Sequence, residues 1–360
     1  LVEQSSQIIR DVYDQGEREV EEILDQAEAR IFQVAESHKR DGFVWIKEIL
    51  WSTFEHIERL QGSESGITGV ATGFRDLDRM TTGLQKGDLC IVAARPSMGK
   101  TSWVLNVAAT AAISNNVPVA VFSLEMSSEQ LVQRLLCAEG RIDLQKLRRG
   151  RLSQEEHQRL AAAAGHLNTA PIWIDDQPGT NVLEIRAKAR RLQSELRSDG
   201  KDLGMVVIDY MQLMSGAGKS ESRVQEVSQI SRGLKALARE LEVPVVALSQ
   251  LSRGPEQRTD KRPMLSDLRD SGSIEQDADI VMFLYRPEYY APAEKREELE
   301  GKTELIVSKQ RNGPTGVVEL YFQKAYTRFD SVQRAPGGGS GSGGGHGAGP
   351  GQSEGPSFGS

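Results

Sequence analysis

Apolar residues recur at three- and four-residue steps through Val20, Ile23, Leu24, Ala27, Ile31, Val34 and Ala35. That spacing lays one apolar stripe along a helix. Glu17, Glu21, Glu22, Asp25 and Glu28 fall on the other face. The pattern predicts an acidic amphipathic helix within residues 3–36. It breaks at Ser37 to Gly42. A second helix is predicted beyond, with Ile46, Ile49, Leu50, Phe54, Ile57 and Leu60 on one face. Gln61 to Thr68 is small and polar and reads as a linker.

From about residue 70, strand-sized apolar runs alternate with amphipathic stretches. The runs are Leu89–Ala93, Val117–Ser123, Ile172–Ile174, Met205–Ile208, Val243–Leu248 and Ile280–Leu284. Helical stretches lie around 101–114, 128–138, 154–166, 181–197 and 223–241. This alternation predicts an α/β fold, with a mainly parallel central sheet and helices on both faces. Beyond residue 302 the chain turns β-rich. Thr303–Gln310 and Gly316–Phe322 flank Asn312-Gly313-Pro314, which predicts a C-terminal hairpin. Residues 337–360 hold 12 of the 35 glycines, so 336–360 reads as a disordered Gly-rich tail.

Composition narrows the function. With 38% hydrophobic and 26% charged residues, the chain can build a sizeable core. No apolar run reaches the ~18 residues of a membrane span, so no membrane partner is expected. The formal net charge of −7 argues against coating nucleic acid with the whole surface. A basic strip inside a cleft or channel stays compatible with it. Cys90 and Cys137 stand alone in apolar segments without a CxxC pair, which excludes a zinc ribbon or a disulfide framework. Two unpaired thiols and no visible export signal lead us to expect a cytoplasmic protein.

The candidate chemistry starts after the first strand. Ala94-Arg95-Pro96-Ser97-Met98-Gly99-Lys100-Thr101 is a P-loop pattern with Ala at the first glycine position. Strand, loop and helix follow in the order such a loop needs. Backbone N–H groups of Ser97 to Ser102 and the helix N-terminus would form an anion nest for the phosphates of ATP or another NTP. Gly99 allows close approach, Lys100 places a charge on the β/γ-phosphates, and the Thr101 hydroxyl suits Mg²⁺.

Three further strand ends add polar groups. Val206 to Asp209 is an apolar run closing on a carboxylate. Parallel strands present their C-terminal ends to one edge, so Asp209 is expected near the Mg²⁺. Taken alone it would read as a cap. Beside Lys100 it reads as the metal carboxylate. Glu125 ends the run from Val121 and is placed to orient and deprotonate an attacking water. Gln250 ends a third run and could bond a γ-phosphate without adding charge.

Gly99-Lys100-Thr101, Glu125, Asp209, Gln250 and Ser308-Lys309-Gln310-Arg311-Asn312-Gly313 together resemble the DnaB family of replicative DNA helicases. So does the stretch from Asp267 to Asp277. The resemblance runs from about residue 10 to residue 332. It implies a RecA-like motor, assembled as a ring-shaped homo-hexamer, that uses NTP hydrolysis to move 5′ to 3′ on single-stranded DNA and part the duplex. It implies the nucleotide roles already given for Lys100, Thr101, Asp209, Glu125 and Gln250. It adds Lys309 and Arg311 as cations acting across the subunit boundary. Two positions apart on a strand, their side chains share a face. Read without the family, they would be solvated cations on a hairpin edge.

The resemblance also makes Arg269, Asp270 and Gly272 a DNA-binding loop, with Asp270 standing where the family usually has Glu. Loop 215–223, carrying Lys219 and Arg223, reads equally as a second DNA-facing loop or an ordinary surface loop. The resemblance divides the chain into an N-terminal remnant (1–13), a linker helix (14–36) packing on a neighbour, a helix and linker (37–68), the motor (69–335) and the tail. Primase and a helicase loader are expected partners. Two rival functions remain in view: a RecA- or RadA-like recombinase, and a scaffold that binds nucleotide only to assemble.

Overall fold

Six successive apolar residues, Leu89 to Ala94, are all fully buried. A strand of this kind needs neighbours on both edges and helices on both faces. The computed structural model describes Ile9 and residues 45–61, 66–215 and 223–332. The expected linker helix (14–36) and Gly-rich tail lie outside the described residues, as does the N-terminal remnant apart from Ile9. The chain divides into two units, residues 1–65 and 66–360.

In the first unit, helix α1 (Ile46–Gln61) forms where the 3.6-residue periodicity predicts it. Ile46, Ile49, Leu50, Trp51, Phe54 and Ile57 are exposed along it, Trp51 to 73%.

The second unit is built from α2 (Arg75–Thr81), β1 (Leu89–Ala94), α3 (Lys100–Ala109), β2 (Val119–Ser123), α4 (Ser128–Gly140) and α5 (Leu144–Arg148). It continues with α6 (Gln154–Thr169), β3 (Ile172–Asp175), α7 (Val182–Ser198), β4 (Met205–Asp209), α8 (Arg223–Leu241) and β5 (Val245–Gln250). It closes with α9 (Gly272–Asp277), β6 (Ile280–Tyr285), α10 (Ala293–Arg296), β7 (Lys302–Gln310), β8 (Gly316–Gln323) and β9 (Arg328–Ser331).

The strands form one sheet in the order β3-β2-β4-β5-β1-β6-β7-β8-β9. Pairings from β3 through β6 are parallel, and those from β6 through β9 are antiparallel. The α/β fold with a mainly parallel central sheet is therefore as predicted. Alternate residues of β1 serve two cores, because successive side chains point to opposite faces. Cys90, Val92 and Ala94 join Trp103, Val107 and Leu131 on one face. Leu89, Ile91 and Ala93 join Ile185, Leu234 and Leu237 on the other. Both cysteines are free and buried, so they act as small apolar side chains.

Three features depart from the sequence reading. The helix expected over 101–114 is α-helical only to Ala109 and ends in a π-helical turn, Thr110–Ser114. The hairpin gains a third strand, β9, whose Phe329 stacks on Phe322 of β8 at 4.4 Å. The short helices α2 and α5 had no long periodic stretch to announce them. Among the described residues no helix is long and apolar enough to cross a membrane.

The segment leading into the sheet is held by a buried carboxylate. Asp78 accepts from the Thr72 N–H (2.8 Å), the Thr72 hydroxyl (2.7 Å) and the Gly73 N–H (3.1 Å). Replacing it strands three donors, and bonds to charged groups carry about 1.5–3 kcal/mol each. By that figure Asp78→Ala should lower the unfolding free energy by roughly 4 kcal/mol or more, read as a lower urea midpoint of the domain.

Candidate active site

The loop between β1 and α3 is shaped by two residues with left-handed backbone. Ser97 has φ 66° and Gly99 has φ 97°. A Cβ on Gly99 would lie 2.9 Å from the Phe329 ring, so the third antiparallel strand packs directly against the loop. The Ser97 carbonyl accepts from the Tyr289 hydroxyl (3.0 Å) and the Arg286 guanidinium (3.5 Å). Arg286 is itself buried, over the Phe322 ring at 4.5 Å and beside Glu288. These residues brace the loop from the β6 side.

Lys100 and Thr101 open α3. The Lys100 ammonium donates to the Ala94 carbonyl (3.2 Å). The Thr101 hydroxyl donates to Asp209 Oδ2 at 2.7 Å. Asp209 closes β4 and is 2% exposed. Burial raises its carboxyl above the ordinary value and Glu125 adds to the rise, while the Thr101 bond, Lys100 and Arg134 oppose it. Burial lowers Lys100, against the pull of Asp209 and Glu125. Glu125 is exposed, two residues past the end of β2. Gln250 ends β5 and is exposed at the same edge, in register with Ala94. The sheet thus brings Lys100, Thr101, Glu125, Asp209 and Gln250 to one edge.

The other loop residues divide. The Met98 side chain is in the core, so only its backbone faces the nest. Ser102 is buried, and its hydroxyl accepts from Arg134 at 3.3 Å.

Three residues of this edge had no sequence signal. Arg134 of α4 lies in the field of Asp209 and Glu125, and burial lowers its basicity. Among the described residues its Nε is buried without a partner. Gln212 clamps Gln250: its amide donates to the Ser249 hydroxyl (2.7 Å) and the Gln250 carbonyl (3.2 Å), and its carbonyl accepts from the Gln250 N–H (3.1 Å). Arg286 is the third. All depend on contacts between elements far apart in sequence.

The residues fit Mg²⁺. A threonine hydroxyl and a strand-end carboxylate supply hard oxygen donors, and Mg²⁺ takes few protein ligands when phosphates and water complete its shell. No group of three or more acidic, His or Cys side chains able to hold a metal occurs among the described residues.

Lys309 and Arg311 are elsewhere. In the β6–β7 register, Lys309 opposes Val281 at the start of β6. Since β6 runs parallel to β1, this is the edge opposite the loop. At about 3.3 Å per residue, the six residues of β1 put roughly 17 Å between the two edges. Lys309 donates to the carbonyls of Ala278 (2.7 Å) and Glu275, and Arg311 to that of Gln276. Burial lowers Lys309, and Arg311 lowers it further.

The segment carrying Arg269, Asp270 and Gly272 is not an open loop. It runs as 3-10 turns over Leu265–Ser271 and then α9. Buried Leu268 and Ile274 hold it down, and Asp267 is gripped by Arg258 through two bonds (2.7 and 3.0 Å). The side chains of 269–272 lie outside the described part, as does Lys219. Arg223, the first residue of α8, donates to Glu226 and to the Gln212 carbonyl.

A P-loop at the carboxyl edge of a parallel sheet, its threonine bonded to a neighbouring strand-end carboxylate, defines a P-loop NTPase of RecA-like architecture. Residues 69–331 match the family described as DnaB-like helicase C terminal domain. The chain belongs to the DnaB-like family of replicative DNA helicases, which are ATP-dependent. It is 53% identical over 335 residues to the replicative DNA helicase DnaC of Bacillus subtilis, covering 93% of this chain and 72% of that one. The same identity and coverage hold for DnaB of Geobacillus stearothermophilus. Among solved structures, a DnaB-like replicative helicase described with its interactions with primase superposes with TM-score 0.79 at 40% identity, covering 92% of this chain and 75% of that one. A second solved structure, described as an ATPase domain, superposes with TM-score 0.75 at 43% identity, covering 81% of this chain and all of that one.

The edge opposite the loop also carries a titration. Burial raises the Asp88 carboxyl to about 6, and the Asp279 charge adds to the rise, against Lys235 and Arg311. A carboxyl raised in the folded state favours folding below its unfolded pKa, and that contribution is lost as pH rises through about 6. Asp88→Asn should therefore melt higher than the parent at pH 8, with the gap closing by about pH 4, read by thermal unfolding across that range.

Proposed function

We propose that this chain works as a ring of identical subunits in which each nucleotide site is built from two chains. One observation carries the reading: the phosphate loop and the Lys309–Arg311 pair occupy opposite edges of one sheet. No single chain can bring both to one γ-phosphate. Head-to-tail packing around a ring places one subunit's cation edge against the next subunit's loop edge.

In this arrangement Lys100 and the loop amides hold the phosphates. Thr101 and Asp209 would hold a Mg²⁺, which would offset phosphate charge. Glu125 orients the attacking water and takes its proton. Gln250, held by Gln212, contacts the γ-phosphate. The neighbour's Lys309 and Arg311 meet the charge that develops on transfer, where such a cation is worth on the order of 10³–10⁵ in rate. Each event repositions the segment of Arg269, Asp270 and Gly272 on single-stranded DNA. The contacts are to phosphates and blind to sequence. Primase, bound by one structural relative, is a partner class on this reading.

The reading is tested by ATP-driven unwinding of a forked duplex. Unwinding is expected from the parent. Strand pairing without unwinding would indicate a recombinase, and nucleotide binding without phosphate release a scaffold. Glu125→Gln should bind ATP normally while turnover falls by about 10²-fold or more. Parental turnover in that variant would remove Glu125 as the base.

Shared sites make a second prediction. Lys100→Ala and Arg311→Ala proteins should each be inactive alone. Mixed under subunit exchange they should regain ATP turnover, because a sound loop then meets a sound cation. A mixture that exchanges yet stays inactive would mean that Arg311 does not act across the boundary.

A further inference from the structure

We infer that Asp279 is a positioning residue that fixes the cation edge of each subunit to the strand carrying its own phosphate loop. The inference rests on the reading that Arg311 acts on a neighbour's nucleotide. It starts from a buried charge that the chemistry above leaves unused. Asp279, between α9 and β6, is 5% exposed. A carboxylate so placed is costly unless its lone pairs are occupied.

Its two oxygens face different partners, Oδ2 through hydrogen bonds and Oδ1 through an ion pair. Oδ2 accepts from the Leu89 N–H (2.8 Å) and from the Lys235 ammonium. Oδ1 faces the Arg311 guanidinium at 3.6 Å. The backbone repeats the connection. The Asp279 N–H donates to the Leu89 carbonyl (2.9 Å), and the Asp279 carbonyl accepts from the Arg311 N–H (3.0 Å). Lys235 also donates to the Gly87 carbonyl (2.7 Å), tying α8 to the same corner.

Leu89 is the first residue of β1, and the phosphate loop leaves from its last. β1 is buried on both faces and paired on both edges, so it transmits displacement instead of absorbing it. Asp279 therefore sets where Arg311 stands relative to a bar whose far end holds this subunit's nucleotide. The carbonyls of Glu275, Gln276 and Ala278 seat the ends of Lys309 and Arg311, and Asp279 supplies the counter-charge.

Asp279→Asn separates the two roles. The remaining oxygen can keep the Leu89 bond, while an NH₂ replaces the oxygen that faces Arg311. Two donors then confront each other and the counter-charge is gone. A catalytic group misplaced by an ångström costs on the order of 10² in rate. Turnover is expected to fall by about 10- to 100-fold, with KM for ATP and fluorescent-nucleotide binding changed less than about twofold, since the variant's own loop is sound.

The decisive measurement is mixing. Asp279→Asn should regain turnover with Lys100→Ala, whose cations are sound, and stay inactive with Arg311→Ala. Recovery with Arg311→Ala instead would show that Asp279 supports its own loop through Leu89, and would overturn the inference while leaving the shared site intact. Failure of Lys100→Ala and Arg311→Ala to complement each other would overturn the shared site, and this inference with it. An Asp279→Asn protein that keeps the parental circular dichroism yet no longer binds nucleotide would likewise overturn the inference, and Asp279→Ser, which also removes the Arg311 counter-charge, is scored by the same pairings.

Discussion

Parallel pairing of β1 with β5 and β6 is the constraint from which the rest of this molecule follows. It sends every strand-end polar group of β1, β2, β4 and β5 to one edge, where helix α3 begins. The antiparallel return of β7 then carries Lys309 and Arg311 back to the other edge. A parallel sheet cannot place the end of a returning strand beside its own phosphate loop. On the proposed reading, this separation is what brings a second chain into the chemistry.

Within the loop edge, burial sets the electrostatics. Asp209 and Lys100 are each pushed toward neutrality by loss of solvent, and each is pulled back by the other's charge. The loop itself is held open by groups outside it. Gly99 has no room for a side chain because Phe329 is there, and the Ser97 carbonyl is bonded from the far side by Tyr289 and Arg286. The antiparallel extension, which adds nothing to the phosphate nest directly, is thus a wall of it.

The same economy appears at the opposite edge. Asp279 joins three elements, β1, α8 and the residue after β7, at a corner with no phosphate chemistry of its own. The helix that precedes it, α9, continues directly from the 3-10 turns over Leu265–Ser271. Its carbonyls receive the two cations.

Much of this was legible in the amino-acid order, for definite reasons. Strands β1, β4, β5 and β6 are apolar without interruption because both of their faces are covered, so their existence and parallel pairing could be read directly. The placement of Lys100, Thr101, Glu125 and Asp209 at one sheet edge was legible because a strand end followed by a phosphate loop or a carboxylate is a local pattern. The helical register of α1 was legible for the same reason, being a matter of 3.6-residue spacing. What only tertiary structure decided is what depends on contacts between distant segments. The third antiparallel strand reveals itself only by packing Phe329 against Gly99. Arg134, Gln212 and Arg286 carry no local mark, since each gains its role from a partner 32 or more residues away. The helical turns over 265–277 look like loop sequence, being small and polar, and hold their shape because Leu268 and Ile274 are buried beneath them. Asp279, one acidic residue among 51 Asp and Glu, acquires meaning only where the start of β1 and the end of β7 converge on it.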